Sequence, residues 1–321
     1  MKSLLNAYLS NFRPTMVPPG EGDAYPAKPI HFVVPYAAGG PGDILARLIG
    51  QKLSENWKQP VNVENIPGPG GMKGAEAGLK APADGYTLIL AASPHYINPS
   101  LYAKVPYDTV KDFQGITLMI SMPNILVINN NLPFKTVADV IAYAKAHPGE
   151  LKYASGGTGT PSHLGAELLK TMTGVDIAHV EYKGHAPAGA AVRAGEAAMM
   201  FDAILLAMPE IKAGEVRALA VTSAKRSSVA ADVPSVAESG LPGFDFSPGV
   251  GVLVRAGTPP AIVDKIYKEI LNILNAPDVK ARLAKDGANI VGNTPAQFMT
   301  YIQQEVDKWG KVVKAAGIKP Q

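Results

Sequence analysis

The chain has 321 residues, of which 47% are hydrophobic and 18% are charged. This length exceeds what one ordinary hydrophobic core supports, so we expect two domains or one large α/β unit. The 30 Lys and Arg residues nearly balance the 27 Asp and Glu residues, which argues against a nucleic-acid-binding protein. The absence of cysteine excludes disulfides, thiolate metal sites and a cysteine nucleophile.

Residues 1–24 differ in pattern from the rest of the chain, because prolines and polar residues interrupt any apolar core that a signal peptide would need. We interpret this segment as a flexible leader or an artefact of the gene start. The apolar stretch closest to a membrane span runs from Ile116 to Ile128, but it is shorter than the ~20 residues that a span requires and contains Pro123.

The first half of the chain alternates short apolar strands with helices. Residues 30–34 predict a buried strand, residues 37–42 form a glycine-rich loop, and the spacing from Ile44 to Leu53 predicts a helix with Asp43 as its N-cap. A strand, a glycine turn, a small-residue helix and another strand follow at residues 61–64, 67–71, 75–79 and 86–91. Repeated βα units of this kind predict a mostly parallel, doubly wound sheet.

A second set of units begins after the apolar run 124–128. The pattern predicts a helix, a strand, a glycine-rich loop and a helix at residues 136–146, 151–155, 156–161 and 162–172. Four further strands and three C-terminal helices are expected, with the strands at residues 177–182, 198–202, 218–222 and 250–254. The last helix begins with a capping box formed by Thr294 and Gln297.

The order of these elements predicts two lobes. We expect the chain to leave the first lobe near residue 123 and to return near residue 246. Lobe 1 would then comprise residues 25–123 and 246–321, and lobe 2 residues 124–245. Two strands that cross between the lobes would form a hinge beside a cleft.

The two strand-loop-helix turns are the strongest functional signal. Glycines let the backbone present N–H groups, and the following helix adds a partial positive charge, so each turn can hold an anion. One such loop is more often only a tight turn, but two at the carboxyl ends of strands in opposite lobes mark a ligand site. Hydroxyl groups that can donate to a carboxylate surround the second loop, at Ser155, Thr158, Thr160 and Ser162.

Other motifs are weak or missing. The glycines of residues 68–74 are one place off the usual dinucleotide-binding spacing, and no glycine loop ends in the Gly-Lys-Ser/Thr of a nucleotide-binding P-loop. Ser155 lacks the glycine that a hydrolase nucleophile elbow has two places before the serine, and the histidines lack zinc-helix spacing. Because no acid, base and nucleophile converge, the pattern argues against an enzyme.

Three single residues have two interpretations each. His163 opens the helix after the second loop and either contacts a ligand or serves capping and packing. His95 follows a strand at the expected cleft edge and is either a ligand residue or a plain loop residue. Asp202 ends an apolar strand and either orients a ligand or caps the next helix.

Several segments together resemble the Bug receptors, the extracytoplasmic solute-binding proteins of tripartite tricarboxylate transporters. The resemblance spans about residues 25–318 in the family's order. It is carried by the following segments: Pro35 to Asp43, Glu64 to Gly71, Pro106 to Asp108, Lys111 to Phe113, Ser155 to Thr160 with His163 and Leu164, Tyr182 to Gly184, Leu219 to Thr222 and Pro234 to Glu238. Where the family usually has a Trp-containing segment, this chain has Phe246-Ser247-Pro248-Gly249.

The resemblance implies an α/β periplasmic binding protein fold of type II, with two doubly wound lobes joined by two crossing strands. A small carboxylate would lie between the two glycine-rich loops, held by backbone N–H groups, hydroxyls and bridging water. The implied contacts are Tyr36, Ala38, Gly39, Gly40, Pro41 and Asp43 in lobe 1 and Ser155, Gly157, Thr158, Gly159, Thr160 and His163 in lobe 2. Ser93, His95, Tyr182 and Asp202 would surround the variable end of the ligand.

The resemblance further implies a periplasmic, monomeric receptor that needs no cofactor or metal and delivers its ligand to membrane permease subunits. A start of the mature chain near Ala24 is typical of the family and favours export. Two other hypotheses remain at this point: an α/β enzyme acting on a carboxylate or nucleotide, and a cytoplasmic ligand-sensing module. The sequence leaves open whether the ligand is a dicarboxylate, a tricarboxylate, an acidic amino acid or an aromatic acid.

Overall fold

The computed structural model describes residues 25–315, 318 and 320, so the interpretation of residues 1–24 as a leader lies outside the described residues. These described residues form eleven strands: β1 (Ile30–Val34), β2 (Val61–Asn65), β3 (Thr87–Ala91), β4 (Phe113–Ser121), β5 (Asn124–Asn129), β6 (Lys152–Ser155), β7 (Ala178–Glu181), β8 (Met199–Ala203), β9 (Val216–Val221), β10 (Gly249–Arg255) and β11 (Asn289–Ile290).

Ten α-helices connect and cover the strands in the described part of the chain: α1 (Pro41–Trp57), α2 (Met72–Lys80), α3 (Ser93–Leu101), α4 (Val137–Ala146), α5 (Pro161–Thr173), α6 (His185–Ala194), α7 (Ile204–Lys212), α8 (Pro260–Asn275), α9 (Pro277–Lys285) and α10 (Pro295–Ala315). The predicted capping box is confirmed, because the Gln297 N–H donates to the Thr294 hydroxyl and the Thr294 N–H donates to the Gln297 side chain. Among these helices none is long and apolar enough to cross a membrane.

The strands form two sheets, which confirms a two-lobed α/β fold. The first sheet has the order β11-β4-β10-β3-β1-β2 and the second β7-β6-β8-β5-β9. Strand β1 pairs in parallel with β2 and β3, and β6 pairs in parallel with β7 and β8. The sheets are nevertheless mixed and not mostly parallel, because β10 returns between β3 and β4 and runs against both, while β5 runs against β8 and β9. We call the first sheet with its helices the first lobe and the second sheet with its helices the second lobe.

Two adjacent segments carry the chain between the sheets. The first passes from β4 to β5 and the second leads into β10, and they are joined where the Met122 N–H donates to the Pro248 carbonyl at 3.0 Å. Thr222, at the end of β9, ties both segments, since its hydroxyl accepts from the Asn124 N–H and donates to the Phe246 carbonyl. The domain boundaries at residues 123 and 246 stay predictions.

The lobes also share buried side chains. Ile120, Met122 and Ile125, along the first crossing, belong to one apolar cluster with side chains of both sheets. A second cluster joins the second sheet to Ile97 of α3 and Trp309 of α10, each with 0% of its surface exposed. Helices α3 and α10 therefore bring the first lobe into direct apolar contact with the second.

Candidate functional site

Three turns from the two lobes meet at one place. They are the first glycine loop (residues 37–42, between β1 and α1), the second glycine loop (residues 156–160, between β6 and α5) and the third turn (residues 182–184, between β7 and α6). A methyl group placed on Gly184 would lie 3.8 Å from the Ala37 side chain, and one on Gly156 would lie 3.1 Å from the Gly184 backbone. The first lobe thus touches the third turn, and the third turn touches the second glycine loop.

Each of these turns leads into a helix whose N-terminus lacks a side-chain cap. The N-cap residues are Gly40 for α1, Thr160 for α5 and Gly184 for α6, and none makes a side-chain capping hydrogen bond. Uncapped helix N-termini leave N–H groups free and carry a partial positive charge, so an anion is stabilised there. The helices that follow these three neighbouring turns therefore each begin with an N-terminus that favours an anion.

The predicted N-cap role of Asp43 is wrong. Helix α1 begins at Pro41, three residues earlier than an N-cap at Asp43 would place it, because proline fits the first helical turn, and its N-cap is Gly40. The Asp43 carboxylate, only 4% exposed, instead accepts hydrogen bonds from the Gly39 N–H at 2.9 Å and the Asn65 amide at 3.0 Å. It also pairs with Arg47 at 3.0 Å.

These contacts indicate that Asp43 holds the first glycine loop in its shape. Burial raises the pKa of the carboxyl, but the hydrogen bonds from Gly39, Arg47 and Asn65 outweigh burial and lower the pKa below its usual value. The charged carboxylate is therefore already engaged within its own loop. Because it would repel a ligand carboxylate, its geometry fits a residue that positions the loop and not one that contacts the ligand.

Tyr36 precedes the same loop. Burial raises the pKa of its phenol, an effect that the nearby backbone of Ala92 and His95, at the start of α3, only partly offsets. Of the residues expected in the first loop, Ala38, Gly39 and Gly40 form the turn and Pro41 opens α1, while the neighbouring Ala37 is the residue that lies near Gly184.

The second glycine loop is held mainly by its own side chains. The Gly157 N–H donates to the Ser155 hydroxyl at 3.2 Å, and the Thr160 hydroxyl donates to the Gly157 carbonyl at 2.6 Å. Thr158 donates to the Glu181 carboxylate at 2.7 Å. Gly157 and Gly159 adopt φ values of 131° and 79°, which side chains other than glycine rarely tolerate. The hydroxyls that were expected to contact a ligand thus form hydrogen bonds that hold the loop in shape.

The N–H groups of this loop divide into engaged and free ones. Gly156 donates to the Ser162 hydroxyl and Gly159 donates to Nδ1 of His163. The N–H groups of Thr158, Ser162 and His163 make no hydrogen bond within the part of the chain that the structure describes. A ligand anion would therefore meet the start of α5 and the tip of the loop.

Two histidines lie beneath the loop. The Ser155 hydroxyl is 2.6 Å from Nε2 of His179, and the His179 ring centroid is 4.6 Å from that of His163. Burial, and then the neighbouring His179, lowers the pKa of His163 to about 4, and burial also lowers the pKa of His179. Both rings are thus neutral at pH 7, and His163 acts as an acceptor for the loop, which fits the capping interpretation of this residue.

Comparison with known proteins identifies the family of this chain. Residues 45–318 match the family described as "Tripartite tricarboxylate transporter family receptor". The chain belongs to this family. Its members are solute-binding receptors, and the Bug-type proteins are among them.

Solved receptor structures resemble this receptor along nearly their whole length. R. palustris Rpa4515, solved with adipate, is 36% identical with a TM-score of 0.88, covering 92% of this chain and 100% of that one. The periplasmic binding protein BugD is 32% identical with a TM-score of 0.86, covering 92% and 100%. MatC from Rhodopseudomonas palustris, solved with bound malate, is 33% identical with a TM-score of 0.84, covering 90% and 100%.

The receptor places its expected distal residues in different surroundings. Ser93 and His95 lie in the first turn of α3, where the sequence analysis expected a loop. The His95 ring, 4% exposed, packs against Phe113 at 4.7 Å and Tyr107 at 5.8 Å, and its Nε2 has no hydrogen-bond partner among the residues that the structure describes. Burial lowers its pKa to about 4. This environment is that of an apolar core residue, so its role as a ligand contact stays a prediction.

Tyr182 and Asp202 have different neighbours in the fold. Burial, and then the neighbouring Glu196 carboxylate, raises the pKa of the Tyr182 phenol. Asp202, at the carboxyl end of β8, is 1% exposed and lies beside His185, the first residue of α6. Neither Gly184 nor His185 was expected from the sequence to be a site residue. The signal that could have found them is Gly184 itself, which follows a strand and precedes a helix as the glycines of the two predicted loops do.

A groove of about 240 Å³ lies along the outer face of α1, between the lobes. Apolar side chains from both lobes line much of it, including Ile44, Met122, Leu205 and Leu283. Its lining includes Pro41 at the start of α1 but no residue of the second glycine loop or the third turn. Within the described residues, no group of three His, Asp or Glu side chains could hold a metal ion.

Proposed function

We propose that this receptor captures a small organic carboxylate between its lobes in the periplasm and delivers it to the membrane permease subunits of a tripartite tricarboxylate transporter. It acts as a monomer and releases its ligand unchanged. The observation that carries the proposal is the meeting of three helix N-termini without side-chain caps at α1, α5 and α6. Such a site binds a carboxylate through N–H groups and helix dipoles.

Aliphatic dicarboxylates are the ligand class that we propose. Similar receptors of known structure hold adipate and malate, both of which carry two carboxylates. Arg47, the basic residue nearest the first glycine loop in sequence, is already paired with Asp43. Selectivity among carboxylates would therefore come from the shape and hydrogen bonds of the distal end, because the N-termini recognise any carboxylate alike.

Ligand capture would work by closure of the lobes about the two crossing segments. Gly159 of the second glycine loop lies against Leu101 and Ile97 of α3, since a methyl group placed there would be 3.1 Å and 3.2 Å from these side chains. The two lobes are therefore in contact around the site in this structure. A ligand stabilises the closed state to the extent that it binds this state better than an open one, and only the closed state brings all three N-termini together.

A thermal-shift screen of the full chain tests the binding proposal. The panel contains adipate, malate, succinate, citrate, glutamate and benzoate, with adipamide as a neutral analogue and NAD as a control for the enzyme hypothesis. A ligand at 100 times its dissociation constant adds about 2.7 kcal/mol to the free energy of unfolding, which the method resolves. We expect one or more dicarboxylates to raise the melting temperature and adipamide and NAD to leave it unchanged. Stabilisation by NAD alone would refute the proposal.

Cell fractionation and transport assays test location and delivery. The chain, expressed from its own gene, should appear in the periplasmic fraction, and its deletion should abolish uptake of the radiolabelled ligand found in the screen. A cytoplasmic protein whose loss leaves uptake unchanged would instead support the ligand-sensing hypothesis.

A further inference from the structure

Asp202 is a buried acid that the fold leaves without a hydrogen bond on one oxygen. It ends β8, the strand that lies between β6 and β5, at the same sheet edge as the second glycine loop. Its side chain is 2% exposed, and Oδ1 has no hydrogen-bond partner among the described residues. Burying a polar atom without a partner costs free energy, so such an atom indicates a contact that forms only with a ligand or in another state.

His185 is the residue that links Asp202 to the carboxylate site. Its Nε2 lies 3.2 Å from Oδ1 of Asp202, close enough for a hydrogen bond but not aligned for one. Its backbone N is 3.2 Å from the position that a methyl group on Gly156 would take, so the residue adjoins the second glycine loop. Its side chain is 24% exposed whereas that of Asp202 is 2% exposed. The histidine ring is therefore the accessible member of the pair, on a residue whose backbone adjoins the second glycine loop.

The charges around this pair are already engaged. Arg193 on α6 forms ion pairs with Glu210 of α7 and, at 3.6 Å, with Glu215. Burial, and then Glu210, raises the pKa of Asp202, which its own neighbour Ala203 and Arg193 only partly offset. Burial and Arg193 lower the pKa of His185 to about 4. The surroundings thus favour a protonated Asp202 next to a neutral imidazole.

We propose that His185 is a specificity-determining residue that hydrogen-bonds the distal carboxylate of a dicarboxylate, and that Asp202 is its positioning partner. The inference rests on the proposed function, since the first carboxylate occupies the helix N-termini. In the ligand-bound state the ring turns into line with Oδ1, protonated Asp202 donates to Nε2 of His185, and the ring carries its proton on Nδ1, where it donates to the ligand. No cationic side chain is required. A monocarboxylate of the same length lacks this second contact.

Isothermal titration calorimetry with matched ligands tests the proposal. Three pairs differ only in the distal carboxylate: succinate and butyrate, adipate and hexanoate, malate and 2-hydroxybutyrate. For the pair that binds, we expect the wild-type chain to prefer the dicarboxylate at least tenfold. His185→Ala should reduce that preference at least fivefold and change monocarboxylate affinity less than twofold. His147→Ala, which alters a half-exposed histidine on the remote end of α4, is the matched control and should change neither.

Two substitutions at Asp202 test the positioning role. Asp202→Asn keeps a donor for Nε2, as the protonated acid does, and should retain most of the preference, whereas Asp202→Ala should lose it. If His185→Ala fails to fold, as judged by circular dichroism and the melting transition, His185→Gln and the two Asp202 variants still decide the matter.

Each remaining outcome counts against a defined part of the account. An unchanged preference in the His185 variants, or equal weakening of both ligands in a pair, overturns the inference while leaving the proposed function intact. A loss of preference in Asp202→Asn as large as in Asp202→Ala overturns the role given to Asp202. A wild-type chain that binds none of the six acids contradicts both the inference and the proposed function.

Discussion

The hydroxyl of Thr222 joins both segments that cross between the lobes, so its removal should weaken the fold at the hinge. Thr222 is fully buried, accepts from the Asn124 N–H at 2.7 Å and donates to the Phe246 carbonyl at 2.6 Å. Thr222→Val keeps the shape of the side chain and leaves these two backbone groups without a partner. The Asn124 carbonyl is not orphaned, because it still accepts from the Thr222 N–H at 2.8 Å.

Each buried backbone group that loses its partner costs about 1–3 kcal/mol, so Thr222→Val should lower the free energy of unfolding by about 2–4 kcal/mol once partial relaxation is allowed. Urea unfolding of the ligand-free chain, followed by circular dichroism, measures the change. Thr300→Val is the matched control, because that exposed hydroxyl only donates to the Ala296 carbonyl of its own helix, and its loss should cost less than about 0.5 kcal/mol. Equal destabilisation by the two substitutions would refute the reasoning.

Three further predictions concern the glycine loops. The stability that Asp43 confers should be present above its unfolded pKa of about 3.9 and should be lost as the pH falls through its lowered folded pKa. The difference in urea midpoint between the wild type and Asp43→Asn should therefore shrink from pH 7 to pH 3. A difference that grows on acidification would contradict this prediction. Gly156→Ala should weaken carboxylate binding at least tenfold in calorimetry, because its methyl group would press on the backbone of Gly184, whereas Gly189→Ala, whose methyl group would approach only the end of the Arg193 side chain, should not. Gly159→Ala, which is strained at a φ of 79°, should lower the melting temperature by several degrees, and an unchanged value would show that the loop relaxes freely.

Local patterns predicted the elements well where a strand or helix carried its own signal. The apolar run at Ile30 to Val34 is β1, and the three C-terminal helices form as expected. The start of α3 was not predicted, because Ser93 follows a strand so closely that a loop was expected there. Pro94, in the first turn of α3, is the signal that favours a helix start. The antiparallel course of β10 depends on contacts with β3 and β4, more than 100 residues earlier, which periodicity does not encode.

The loops of the candidate site could be predicted from the sequence, but the pairs of side chains that contact each other there could not. Glycine-rich turns can be recognised in the sequence, so two of the three turns were predicted from composition and the order of elements. The contact between Ser155 and His179 depends on the register of β6 against β7, in which Tyr153 faces His179. The pair of His185 and Asp202 depends on how α6 leads from β7 to β8. Neither register nor helix packing can be read from a local pattern, and so these partners emerge only in the folded chain.

The central claim is that three helix N-termini hold one ligand carboxylate. A crystal structure of the receptor with a dicarboxylate selected by the thermal-shift screen tests it most directly. The account predicts a carboxylate whose oxygens lie within about 3.2 Å, directly or through one water, of backbone nitrogens at the starts of α1, α5 and α6. A carboxylate bound instead by a lysine or arginine side chain, or a ligand seated in the groove beside α1, would contradict it.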